Sequence, residues 1–211
     1  MSHTVDPETG FRAINDRMEL TVPMTWLPAA RPAATHTDEA LMLRYRDGDD
    51  GAFRALYARY RAPLMRFARH LAGSASDAEE VFQETWIAVV NGRMRYSVRA
   101  RFATWLFAIA HRRAADRHRK RARHPTQQID TEFESATPQP PEVAVADARQ
   151  LALQTAIAAL PFAQREVFLL RAETGLGVRE IARITCARPE TTKSRLRYAL
   201  RELRKAMSSW A

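Results

Sequence analysis

Residues 178–200 place Ile181 and Ala182 on one short helical stretch, Thr185, Cys186 and Ala187 in a turn, and Pro189 at the head of a second stretch. That second stretch carries Thr191, Lys193, Ser194, Arg195 and Arg197, with Arg188 just before it. Proline suits a first helical turn, where its missing N–H leaves nothing unpaired. A small residue such as Ala182 lets two helices cross steeply. Donors on the N-terminal half of the second helix could enter a major groove about 12 Å wide, which is the chemistry of a helix-turn-helix reading duplex DNA. Arg201, Arg204 and Lys205 extend the basic face toward phosphates. The same residues also fit a solvated basic helix. Cys186 stands where such turns usually hold glycine, and Thr185, Ala187 and Thr192 stand where larger apolar residues are common, which predicts a loosely packed turn.

A second basic cluster begins in a loop with Arg93, Arg95, Tyr96, Arg99 and Arg101 and continues on a helix through His111, Arg112, Arg113, Arg117, Arg119 and Lys120. Phe102, Trp105 and Phe107 are interleaved with it. Bases and aromatics mixed in this way suit single-stranded DNA, where cations follow the phosphates and rings or pockets receive unstacked bases. Phe102 and Trp105 lie on the apolar stripe and read as core, whereas the loop residues, Tyr96 among them, read as exposed. Arg112 falls off the stripe and should face solvent or DNA. For the terminal arginines a solvated helix end is the alternative.

Asp77, Glu79, Glu80 and Glu84 form an acidic helix face in a chain whose net charge is +9. Such a face repels phosphate, so it suits solvent or a basic protein partner. The first three acids also stabilise the dipole of a first helical turn, an explanation that does not reach Glu84.

Catalytic chemistry finds no foothold. The six histidines show no metal-ligand spacing, no Gly-rich phosphate loop precedes a helix, and Cys186 is the single cysteine. A non-enzymatic protein without cofactor or metal is expected. One cysteine forms no intramolecular disulfide, which fits a reducing cytoplasm. Acidic residues interrupt the N-terminus and no stretch approaches the ~20 apolar residues of a membrane span, so neither signal peptide nor membrane insertion is expected. With 33 Lys and Arg against 24 Asp and Glu, the partner should be a polyanion, nucleic acid first.

The elements that must hold these groups are helical. Residues 1–37 carry four prolines without an apolar period and read as a flexible tail. Asp38 can cap a first helix, and Gly48 can end it. Phe53, Leu56, Tyr57, Tyr60, Leu64, Phe67 and Leu71 stripe a second, closed by Gly73. A third starts at Ser76 or Asp77 with Val81, Phe82, Trp86, Val89 and Val90 inward, and a fourth runs from Phe102 to Arg121. Residues 124–148 hold no Lys or Arg but several acids and prolines, an acidic extended linker, with the boundary of the next domain set at residue 147. Four further helices follow: one through Leu151, Ile157 and Leu160 broken by Pro161, one through Val167 and Leu170, one from Val178 and one from Pro189 to about Met207. The expected fold is all-α: a helical domain over 38–123, a linker over 124–146, and a second small helical domain with a helix-turn-helix over 147–211.

The order of segments resembles the small, extracytoplasmic-function group of bacterial sigma factors. DGDDGAFRALYARYRAPLMRFARHL, SDAEEVFQETWIAV and FATWLFAIAHRRAADRHRKR resemble their second region; LPFAQREVFLLRAETGLGVREIARI and ETTKSRLRYALRELRKAM resemble their fourth. The resemblance implies a subunit that binds core RNA polymerase, directs it to promoters and helps open the DNA. It implies that Asp77, Glu80, Gln83 and Glu84 dock on a coiled coil of the polymerase's largest subunit. Arg95, Tyr96, Arg99, Arg101, His111, Arg112, Arg113, Arg117, Arg119 and Lys120 would take the −10 element, partly as a flipped base. Arg188, Thr191, Lys193, Ser194, Arg195 and Arg197 would read the −35 element, and an anti-sigma factor would be a further partner. Many relatives have Asn where this chain has Arg112. A helix-turn-helix regulator acting without polymerase is the alternative, though it leaves the acidic helix and acidic linker without a use.

Overall fold

The computed structural model describes residues 36–123 and 141–208. The expectations for the N-terminal tail before residue 36 and for Asp130, Glu132 and Glu134 of the linker lie outside them. Every regular element among the described residues is helical: α1 (Asp38–Arg46), α2 (Asp50–Ala72), α3 (Ala75–Gly92), α4 (Phe102–Arg123), α5 (Pro141–Ala159), α6 (Phe162–Thr174), α7 (Val178–Ile184) and α8 (Pro189–Ala206), with a 3-10 turn at Arg93–Arg95 between α3 and α4.

Side-chain caps set the first helix starts. Thr37, Asp49 and Ser74 accept from the backbone N–H groups of Ala40, Ala52 and Asp77, pairing donors that a helix start leaves open. Thr37 therefore caps α1 where Asp38 was expected, and α3 starts before Ser76. α2 continues through Pro63 and stops at Gly73, whose φ of +88° is readily adopted only by glycine. At the head of α4 the Phe102 N–H donates to Glu39 Oε1 at 2.7 Å, so α1 supplies the cap that α4 lacks locally.

α2 is the central pillar of the first half. Leu56, Tyr60, Leu64 and Phe67 are fully buried at three- and four-residue steps and meet Phe102, Leu106 and Phe107 of α4. Phe67 meets Phe107 edge-on at 5.2 Å and Tyr60 meets Phe102 at 5.2 Å, an arrangement aromatic rings favour over face-to-face stacking. Phe107 is thus core. Val90, expected inward, is 38% exposed, whereas Val89 beside it is fully buried.

In the second half Val167, Leu170, Ile181, Ala199 and Leu203 are buried and bring α6, α7 and α8 together. α5 starts at Pro141, so the helix reaches back beyond the expected boundary at residue 147 and residues 141–148 are helical rather than extended. The halves also pack on each other, α2 and α4 against α6 and α7. Arg66 of α2 forks onto Glu173 of α6 with contacts of 2.7–3.1 Å. His118 of α4 stacks on Phe162 of α6 at 4.0 Å. Glu180 accepts from the Gly177 N–H at the start of α7 with one oxygen and from Thr104 of α4 with the other, at 2.9 and 3.0 Å.

Candidate nucleic-acid interface

Helical spacing puts Asp77, Glu80 and Glu84 in a row on α3 and Arg113, Arg117 and Arg121 in a row on α4. The two rows close on each other. Arg117 reaches Asp77 Oδ1 at 2.9 Å, Glu80 Oε2 at 2.6 Å and Glu84 Oε1 at 3.1 Å. Arg113 lies 3.5 Å from Glu84, and Arg121 bonds both Asp77 and the Ala72 carbonyl. The acidic face that looks unpartnered in sequence therefore has basic partners within the chain. It keeps an outer side: the Glu80 side chain is 56% exposed and that of Glu84 38% exposed, with Gln83 exposed between them.

Two residues expected among DNA contacts are corrected by this geometry. Arg117 is only 19% exposed and its guanidinium is given over to the α3 carboxylates. Tyr96 is 6% exposed, packed against Phe102 and Trp105 at 6.4 and 5.2 Å, so it is core and not a surface ring for a base. Burial, with the Glu39 and Asp38 carboxylates adding to it, pushes its hydroxyl up to about 12. Tyr96 follows the 3-10 turn, whose bend brings it inward before α4 begins.

Arg95, Arg99, Arg101, Arg112, Arg113, Arg119 and Lys120 are exposed. Arg112 faces outward, as its place off the apolar stripe requires, while Arg119 pairs with Asp116. A shallow hollow between α3 and α4 is lined by Glu84, Ile87, Ala88, Asn91, Arg95 and Arg113. His111 faces the other way: its Nε2 lies 2.8 Å from Glu166 of α6, and both side chains are nearly buried.

α7 and α8 form the helix-turn-helix. Ile181, Ala182 and Leu196 are all buried where α7 and α8 meet, and the turn passes through Cys186 at φ +52°, the left-handed conformation that explains why glycine is usual there. Thr192 is fully buried with its Oγ1 unpaired among the described residues, Thr185 donates to the Ile181 carbonyl at 3.0 Å, and Cys186 is exposed, so the departures from the usual residues cost a buried hydroxyl without a partner as well as backbone strain at Cys186. Arg188, just before α8, and Thr191, Lys193 and Arg197 on its N-terminal half are exposed, and Ser194 is half-buried. Arg195 is half-buried with Nη1 3.4 Å from Glu166.

Sequence reasoning passed over Arg66, Glu166, Glu173 and Glu180. A signal existed for Glu166, which stands immediately before the apolar run 167–170 and is 6% exposed. A carboxylate at such a position needs a partner.

The sigma-70 region 2 model matches residues 56–124 and the sigma-70 region 4 model residues 150–203. The ECF RNA polymerase sigma factor SigF of Caulobacter vibrioides is 31% identical over 81% of this chain and 91% of its own length. The ECF RNA polymerase sigma factor SigM of Mycobacterium tuberculosis is 27% identical over 82% and 87%. Two solved structures share the fold. CnrH, in complex with the cytosolic domain of CnrY, aligns with a TM-score of 0.59 at 21% identity, covering 82% of this chain and 99% of that one. The sigma factor RpoE of Bartonella quintana, in complex with the anti-sigma factor NepR, aligns at 0.58 and 24%, covering 74% and 95%. The two helical halves are thus sigma regions 2 and 4, and the chain belongs to the extracytoplasmic-function RNA polymerase sigma factors. It is a DNA-binding transcription initiation factor that directs RNA polymerase to promoters. Among the described residues no helix is long and apolar enough to cross a membrane, and no group of three or more His, Cys, Asp or Glu gathers as a metal site.

Proposed function

We propose that this sigma factor works as a non-enzymatic cytoplasmic subunit whose three surfaces act at different points of initiation. The outer side of α3, with Asp77, Glu80, Gln83 and Glu84, docks on the coiled coil of the polymerase's largest subunit. Arg95, Arg99, Arg101, Arg112, Arg113, Arg119 and Lys120 take the −10 element as it opens, and the hollow beside Arg95 and Arg113 receives an unstacked base. Arg188, Thr191, Lys193, Ser194, Arg195 and Arg197 read the −35 element as duplex, and His111 joins the −10 set when it is released from Glu166. Arg117 organises the docking face and Tyr96 supports the loop from beneath. An anti-sigma factor is a further partner, in keeping with the complexes solved for CnrH and RpoE.

The observation that carries this reading is that α3 keeps exposed acceptors at Glu80 and Gln83 while α4 and α8 keep exposed bases at Arg112, Lys120, Lys193 and Arg197. One chain can then meet a basic protein and an acidic nucleic acid together. Gel filtration of the purified chain with purified core polymerase tests it. Co-elution, and promoter DNA bound far more tightly by the complex than by the chain alone, is expected. Binding to promoter DNA that is indifferent to core would instead mark a stand-alone helix-turn-helix regulator.

A further inference from the structure

The loop over residues 93–101 carries Arg95, Arg99 and Arg101, and α1 holds both of its ends. At the first end Arg93 lies over the Tyr45 ring, 5.4 Å from its centroid. At the second, Glu39 Oε1 accepts from the Phe102 N–H at 2.7 Å. Tyr45 is buried against Phe53 with ring centroids 4.8 Å apart, so the ring beneath Arg93 belongs to the core and not to the loop. The first turn of α1 is itself clamped to α2: Thr37 caps it, and the Asp38 carboxylate takes Arg59 at 2.6 Å together with the Tyr60 hydroxyl. Glu39 therefore reaches α4 from a fixed base.

Between its ends the loop does little to hold itself. The Tyr96 N–H donates to the Arg93 carbonyl at 3.2 Å and the Arg99 N–H to the Ser97 carbonyl at 2.8 Å. The Tyr96 ring packs on Phe102 and Trp105, but its hydroxyl is buried without a hydrogen-bond partner among the described residues. The middle of the loop thus rests on ring packing, and Ser97, Val98, Arg99 and Arg101 are exposed. The first N–H groups of the 22-residue α4 have no acceptor within their own helix. A carboxylate is favoured there by pairing and by the helix dipole, and Glu39 supplies it from 63 positions away. A local cap would fix only where α4 starts along the chain. A cap from α1 also fixes where that start lies against another element, and hence where the loop must end.

We propose that Glu39 is a positioning residue for the −10 loop: by tying the head of α4 to α1 it sets where Arg99 and Arg101 stand, and through them which −10 bases the protein prefers. The proposal rests on the promoter-reading assignment above. Glu39 acts through the loop and not on the DNA, whose phosphates a carboxylate repels.

Transcription by holoenzyme, assembled from purified core polymerase and the full chain, on a promoter library randomised at both the −10 and the −35 element tests this. The readout is the ratio of output between the best and the worst base at each position. Glu39→Ala leaves no side-chain acceptor for the Phe102 N–H and should lower the −10 ratios by about five- to tenfold, with the −35 ratios kept within about twofold. Glu39→Asp keeps the charge but draws the carboxylate back by one bond of about 1.5 Å, and should lower the −10 ratios as well. Glu39→Gln keeps an acceptor oxygen at the same reach and should preserve them within about twofold. A variant that is merely less stable lowers every promoter by one factor and leaves all ratios as they were. Glu39→Asp gives the answer where Glu39→Ala does not fold. The positioning role is overturned by −10 ratios that survive in whichever of these two folds, by −35 ratios that fall in step with them, or by an equal loss in Glu39→Gln. A parent protein with no −10 preference at all would overturn the promoter reading itself, and the proposal with it.

Discussion

Arg117 of α4 and Glu80 of α3 meet at 2.6 Å, and the same guanidinium bridges Asp77 and Glu84. Two rows of opposite charge that suggest two separate partners are thus also partners of each other. Three carboxylates on one helical face repel one another, and Arg117 is what lets them stand together. Arg117→Ala should destabilise the protein by about 1 kcal/mol, because Glu80 loses its cation and Asp77 and Glu84 keep only Arg121 and Arg113. Urea unfolding checks the value, and a change below about 0.5 kcal/mol would show the array to be no more than surface decoration.

The same geometry decides how the polymerase face is probed. Charge reversal at Glu80 and Glu84 would set new cations against Arg117 and disturb the fold. Glu80→Gln with Glu84→Gln avoids that clash and should weaken core binding by about tenfold while the melting curve stays close to that of the parent. Titration of labelled core measures it; unchanged affinity would leave the acids with their intramolecular role alone.

Lys193 and Arg112 should separate the two promoter elements. Lys193→Ala is expected to cost about 1–3 kcal/mol on a duplex promoter and little on a pre-melted template, since its exposed position on α8 suits duplex contact. Arg112→Asn replaces a charged fork, suited to guanine or phosphate, with an amide suited to a base edge. It should shift the preferred −10 bases in a selection from randomised promoters. A uniform drop with the same consensus would mean that Arg112 holds the backbone.

Cys186 sits at φ +52°, a region that costs a residue with a Cβ roughly 1–2 kcal/mol. Cys186→Gly relieves this at a smaller cost in unfolded-chain entropy, so a gain of about 0.5–1 kcal/mol is expected in thermal or urea melting. A loss would show that the cysteine side chain contributes packing that outweighs the backbone strain.

His70 on α2 is lowered to about 4, first by burial and then by the charges of Arg165 and Arg66. Its folded value lies below the ordinary 6.5, so the unfolded chain binds the proton more readily. Stability from this group is complete above pH 6.5, falls as pH drops toward 4, and levels off below, a span on the order of 3 kcal/mol. Burial raises the Glu173 carboxyl, which acts in the opposite direction but in the carboxylate range. Melting temperatures measured from pH 7 to about 4 should decline, and His70→Gln should flatten the decline. An identical slope in the variant would exclude His70 as its source.

The helices, the stripe of α2 and the helix-turn-helix were legible because apolar spacing and caps are local signals. Gly73 and Pro189 mark boundaries by their own backbone preferences. Tyr96 was not legible, since nothing in its neighbours says that the chain bends inward there. The basic row of α4 was legible as charge but not as destination: Arg112 and Arg117 are five residues apart, yet one faces outward and the other turns to α3. Glu166, Glu173 and Glu180 acquire their meaning from contacts between residues 55 to 107 positions apart, which no local pattern carries.

Run-off transcription with purified core polymerase on a genomic promoter library tests the central claim most directly. The account predicts transcripts from a restricted set of promoters that share −35 and −10 elements, present only when both core and this chain are added. Transcription by core that the chain leaves unchanged, with the chain binding its own DNA sites in core's absence, would contradict it.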